Sequence, residues 1–184
     1  MKPADERKPF TMLLLFMALM AALTLLPACA APDPPMEEPD ISGRLLSFSY
    51  RYSTFRSRPF ECVIERDADE RGEERIIFKL EAYVKGFLSV EEEIPEAVME
   101  DITRMMEEEQ IFSWNGFREY HQEIRDGTSF ELVAAFEKTS IRASGYMIFP
   151  DNFKAAHQRL TDYLLELART LDEGMADPAD SHQP

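Results

Sequence analysis

The sequence predicts an α+β domain: a single antiparallel sheet with two helices on one face. Two observations carry that prediction. Apolar and polar residues alternate in five stretches, the pattern of strands with one buried and one solvated side. Twice the apolar period lengthens to that of a helix, once in "IPEAVMEDITRMMEEEQIF" and again from Phe153 onward.

The elements follow in order. "LLSFSYRYS" sets Leu46, Phe48, Tyr50 and Tyr52 on one face and Ser47, Ser49, Arg51 and Ser53 on the other. "FECVIER" repeats the pattern with Phe60, Cys62 and Ile64, which makes Cys62 a buried strand residue. "DADERGEE" reads as a charged hairpin loop, and "RIIFKLEAYV" turns Ile76, Phe78, Leu80 and Ala82 to one side. The first helix carries Val98, Ile102, Met105 and Met106 at helical spacing, with Pro95 suited to its start. "SFELVAAF" and "SIRASGYM" return to period two around a turn at Lys138 and Thr139. Phe153, Ala156, Leu160, Leu164, Leu167 and Leu171 stripe a long last helix, which Asp151 or Asn152 is placed to cap. The expected order is β-β-β-α-β-β-α, with both helices on the apolar face. The acid runs Glu91–Glu93 and Glu107–Glu109 flank the first helix as solvated faces; the second opposes the helix dipole.

This domain occupies residues 44–171, roughly 130 residues, enough for one proper core. Ahead of it, residues 29–43 hold Pro32, Pro34, Pro35 and Pro39 among acids and read as an extended tether. Residues 172–184, "DEGMADPADSHQP", offer little to bury and read as a disordered tail.

The N-terminus has a different character. Lys2, Arg7 and Lys8 precede an apolar run from Phe10 to Leu26, then Pro27 and small residues, the layout of a signal peptide over residues 1–28. Leu26-Pro27-Ala28-Cys29 resembles the lipobox of bacterial lipoproteins, with Pro27 an unusual occupant. The resemblance implies cleavage before Cys29, lipidation of its sulfur, and a domain anchored outside the cytoplasm at a bacterial cell or outer membrane. With Cys29 lipidated, Cys62 has no partner for a disulfide.

The chain's net charge of −15 argues against nucleic acid or anionic headgroups as partners. Familiar catalytic and metal sets fail on inspection. Asp67, Asp69 and Gly72 have calcium-loop spacing, but Arg71 and Phe78 stand where oxygen ligands are required. His121 and Glu123 form a His-x-Glu without the cysteines of a zinc deaminase. His157 falls beside the apolar stripe of the last helix and reads as a packed edge histidine. No cofactor or metal is called for.

Two loops stand out, "FSWNGFREY" and "ASGYMIFPDNF", both rich in aromatics with Gly and Asn. In one reading Phe112, Trp114 and Phe117 staple the connection onto the core and Gly145 allows a bulge. In the other, Trp114, Asn115, Arg118 and Tyr146 form a binding patch. "SWNGF", "DGTSFEL" and "ASGYMIFPDNF" resemble a family of uncharacterised bacterial secreted and lipoprotein domains, over Trp114 to Leu164. That resemblance implies export and a shared domain, with no activity attached. The expectation is a non-catalytic domain that binds an unidentified protein or small molecule. The alternatives are an envelope hydrolase using His121 with Glu123, Asp126 or Asp151, and a purely structural lipoprotein.

Overall fold

The computed structural model describes residues 43–68, 71–83, 86–124 and 126–175. The stretches expected to be a signal peptide, a lipobox with Cys29 and a tether, up to residue 42, lie outside the described residues, as do residues 176–184. Among the described residues, no helix is long and apolar enough to cross a membrane.

The domain is α+β. It has one mixed sheet of seven strands and two helices. The strands are β1 (Leu45–Ser53), β2 (Phe60–Ala68), β3 (Glu74–Tyr83), β4 (Phe87–Glu93), β5 (Arg118–Tyr120), β6 (Ser129–Phe136) and β7 (Ser140–Tyr146), in the spatial order β4-β3-β2-β1-β6-β7-β5. Helix α1 is Glu96–Glu108 and helix α2 is Phe153–Met175, with a 3-10 turn at Ile111–Trp114. All pairings are antiparallel except β5 with β7, which is parallel.

This corrects the expected order in two places. The run ending in Glu91–Glu93, next to α1 in sequence, is the edge strand β4, where Val90 is buried opposite Leu80, Glu91 and Glu93 face outward, and Glu92 lies half-buried on the core side opposite Phe78. Charged edges of this kind discourage further pairing. The missed β5 is only three residues long and fully exposed, so it had no apolar alternation to show. Residues 172–175, expected in the tail, belong instead to α2, which continues to Met175.

One face of the sheet is apolar. Phe48 and Tyr50 of β1, Cys62 and Ile64 of β2, Phe78 and Leu80 of β3, and Leu132 and Ile141 of β6 and β7 join Met99, Ile102 and Met106 of α1 and Ala156, Leu160 and Leu164 of α2 in one core. The register slips between Leu45 and Ser47, so Leu45 rather than Leu46 is the buried residue at the start of β1. Arg66 donates to the Leu45 carbonyl from both Nε and Nη2 at 3.1 Å, and reaches Glu96 in the first turn of α1 at 2.5 Å. The Arg66 hydrogen bond holds the Glu96 carboxyl below its ordinary range.

The acids at the end of α1 have a partner. Arg159 of α2 donates to Glu109 at 2.6 Å and also to Glu108, so the apparent conflict with the helix dipole is offset by an ion pair between helices. The stripe of α2 drifts near its end: Ala168 is fully buried, while Leu167 and Leu171 are half-buried.

Candidate functional site

The Trp114 loop is structural. Trp114 is 1% exposed, so its place in the expected binding patch is corrected: it is core and cannot contact a partner. Its ring packs edge-on to Phe130 and against Phe153. Its indole Nε1–H donates to Asn152 Oδ1 at 2.7 Å, and Asn152 Nδ2 donates onward to the Glu109 carbonyl at 2.6 Å. Asn152 therefore spends its side chain tying the 3-10 turn to the end of α1, rather than capping α2. The turn enters the 3-10 segment through Gln110 at φ 55°, a left-handed conformation.

Asn115 is also used by the fold. Its Oδ1 accepts the Arg142 backbone N–H, while Gly116 N–H donates to the Arg142 carbonyl and Ser144 N–H to the Phe117 carbonyl. The "SWNGF" turn thus runs along β7 and delivers β5 as a parallel edge strand. Gly145 permits the layer beneath: a Cβ there would stand 2.3 Å from the Ile148 carbonyl oxygen and 2.6 Å from the Phe130 ring.

Arg118 and Tyr146 do come together. Both lie on the sheet face opposite the helices, because Arg118 pairs with Ser144 and Tyr120 with Tyr146. One cross-strand row runs Glu61, Arg51, Glu131, Ser144, Arg118. The neighbouring row runs Ser53, Ser129, Tyr146, Tyr120. Apart from Glu61, these residues line a shallow groove of about 510 Å³. Tyr120 and Tyr146 stack at 5.0 Å with a 21° angle between rings, and Tyr120 is 63% exposed. Ser53 and Ser129 hydroxyls are 2.8 Å apart.

The charges in this groove are not consumed by one another. Arg51 reaches only Glu61, at 3.8 Å. Arg118, Arg142 and Glu131 form no ion pair among the described residues, and all three line a continuation of the same face. The arrangement offers forked donors, an acceptor carboxylate, hydroxyls and an aromatic platform, which is the chemistry of recognition. Arg51 and Glu131 were readable as solvated strand positions. Their place beside Arg118 was not, since β1 and β6 are far apart in sequence.

The residues proposed for hydrolysis do not form such a set. His121 donates its backbone N–H to the Tyr146 carbonyl, and its ring Nδ1 is enclosed without a hydrogen-bond partner among the described residues. Among the described residues, no carboxylate orients the ring through that nitrogen in the manner of a Ser-His-Asp triad. Glu123, Asp126 and Asp151 are exposed, and none lines the groove. His157 is held otherwise: its Nδ1 is 2.6 Å from the buried Tyr50 hydroxyl, and its ring stacks on Phe153. Burial pushes its pKa down, keeping the ring neutral within the core's edge. Among the described residues, no cluster of three or more His, Cys, Asp or Glu is placed to hold a metal ion.

The chain matches no described protein family and no curated protein in sequence. The resemblance carried by "SWNGF" and "ASGYMIFPDNF" therefore rests on those motifs, and their roles here are packing roles.

Proposed function

We propose that this chain is an extracytoplasmic lipoprotein, anchored to a bacterial membrane through lipid on Cys29. Its domain is a non-catalytic module that binds a small molecule or protein through the open face of the sheet. The observation that carries the binding reading is the groove of Arg51, Glu131, Ser144 and Arg118 beside the Tyr120–Tyr146 stack. Arg118 and Glu131, which form no ion pair among the described residues, stand in an open groove beside the stacked tyrosines and are suited to an incoming polar group. The anchor rests on the lipobox-like Leu26–Cys29 and the proline-rich tether that follows it.

A photoreactive residue replacing Tyr120 in living cells tests the binding face, with one replacing Ser89 on the far edge strand as comparison. The reading expects a discrete adduct from position 120, lost in the Arg118→Glu background, and none from position 89. Equal adducts at both positions, or adducts indifferent to Arg118→Glu, would refute it.

A further inference from the structure

The domain is strongly acidic overall, yet the tip of its first hairpin is not. The stretch from Ile41 to Phe60 contains no acid and four arginines, in a chain with 35 acidic residues. The fold places the tip of that stretch, the β1–β2 turn, beside the β3–β4 turn, because Arg51 pairs with Glu61 and Glu61 with Glu81. Phe55 of the β1–β2 turn and Phe87 at the start of β4 are each 54% exposed, and Tyr83 at the end of β3 is 62% exposed. Arg56 lies over the Phe55 ring and Arg58 over the Phe87 ring, each at 5.4 Å.

The clustering extends along the sheet. The other large exposed apolar residues, Tyr120, Met147 and Ile148, stand at the same end, since Tyr120 pairs with Tyr146, Tyr146 with Ser129, and Ser129 with Ser53. Single exposed apolar residues need no explanation, but their collection at one end with paired arginines does.

We infer that this end, with Phe55, Arg56, Arg58, Tyr83 and Phe87 at its tip, docks onto a phospholipid surface. The aromatic rings suit the headgroup level of a bilayer, and the arginines suit lipid phosphates. Net charge does not forbid this, because opposing charges beyond about 8 Å are screened at physiological salt. The inference uses the lipoprotein reading for its geometry. The β1 strand spans about 30 Å from Leu45 to the tip, and the fourteen residues of sequence from Cys29 to Ser42 have a maximum reach on the order of 45 Å. A chain anchored at Cys29 thus has enough length for the tip to meet the same membrane.

The test uses the mature chain, reconstituted into vesicles of phosphatidylcholine with 30% phosphatidylglycerol, about the share that gives a clear negative surface. Ser57→Cys takes an environment-sensitive fluorophore at the tip, and Lys138→Cys takes it at the opposite end, in the β6–β7 turn. Cys62 is buried and does not compete for the label. Expected is at least a twofold rise in emission at position 57 on vesicles, none at 138, and loss of the rise with Arg56→Glu and Arg58→Glu together. A position-57 signal equal to that at 138, or one unmoved by the double charge reversal, overturns the proposal. Flotation of the chain with the vesicles reports the anchor separately. A chain that floats with a silent tip keeps its anchor and loses this inference. A tip that stays in water on vesicles but is shielded on intact cells assigns the end to a protein partner instead, which also overturns it.

Discussion

Asn152→Ala removes one side chain that serves two buried ends. The Trp114 indole N–H loses its acceptor at 2.7 Å while remaining 1% exposed, so water cannot replace the bond. An unsatisfied buried donor costs about 1–3 kcal/mol. The Glu109 carbonyl, partnered at 2.6 Å, loses a donor at the less enclosed end of α1, which adds about 0.5–1 kcal/mol. The expected loss is about 2–3 kcal/mol, or roughly 10 °C in Tm for a domain of this size. Trp114 is the only tryptophan, so its emission during urea unfolding reports the transition directly. A double-mutant cycle with Trp114→Phe, all four chains read by far-UV circular dichroism because that variant lacks the fluorophore, should return a coupling of about 1–2 kcal/mol between the two positions. A loss below about 0.5 kcal/mol, or a coupling of zero, would show that the bridge does not hold the loop.

Arg66→Ala should cost about 2–4 kcal/mol by denaturant unfolding, since it strips the Leu45 carbonyl and Glu96 of a nearly buried partner at once. Cys62 is fully buried and its thiol is pushed well above the usual range by that burial, so labelling without denaturant should run at least about 1,000-fold slower than in the unfolded chain. The His157 pKa is depressed by burial, so its folded value lies below the ordinary 6.5. Stability should therefore be flat above that pH and decline as pH falls below it, where the unfolded chain binds the proton first; His157→Gln should flatten that decline in calorimetric scans.

Much of this fold was legible because its strands are half-buried. Phe48, Tyr50, Cys62, Ile64, Phe78, Leu80, Leu132 and Ile141 alternate with polar residues, and each proved to face the core. β4 was hidden by Glu91–Glu93, an unbroken acid run without apolar alternation, in which Glu91 and Glu93 face outward and Glu92 sits half-buried at the sheet edge. β5 was hidden by its brevity, its place set by hydrogen bonds from Gly116 and to Phe117 rather than by burial. In the candidate site, Arg118 and Tyr146 were recognisable as loop-proximal polar and aromatic residues, and they line the groove. Trp114 and Asn115 shared the same local signal, but tertiary packing and the β7 edge absorb them. Local composition marked a shaped loop without revealing which side chains the core would take. The β1–β6 pairing, which brings Arg51 and Glu131 to Arg118, left no local trace at all.

The central claim is a binding domain held at a membrane by lipid on Cys29, and the mature N-terminus tests it most directly. Cells expressing the chain are labelled with a fatty acid, and the purified product is examined by mass spectrometry. The account predicts a chain beginning at Cys29 with diacylglycerol on its sulfur, and an uncut, unlabelled precursor for Cys29→Ser with the domain still folded. An unmodified N-terminus at Cys29, Ala30 or Ala31, or an intact Met1 in the unaltered chain, would contradict it.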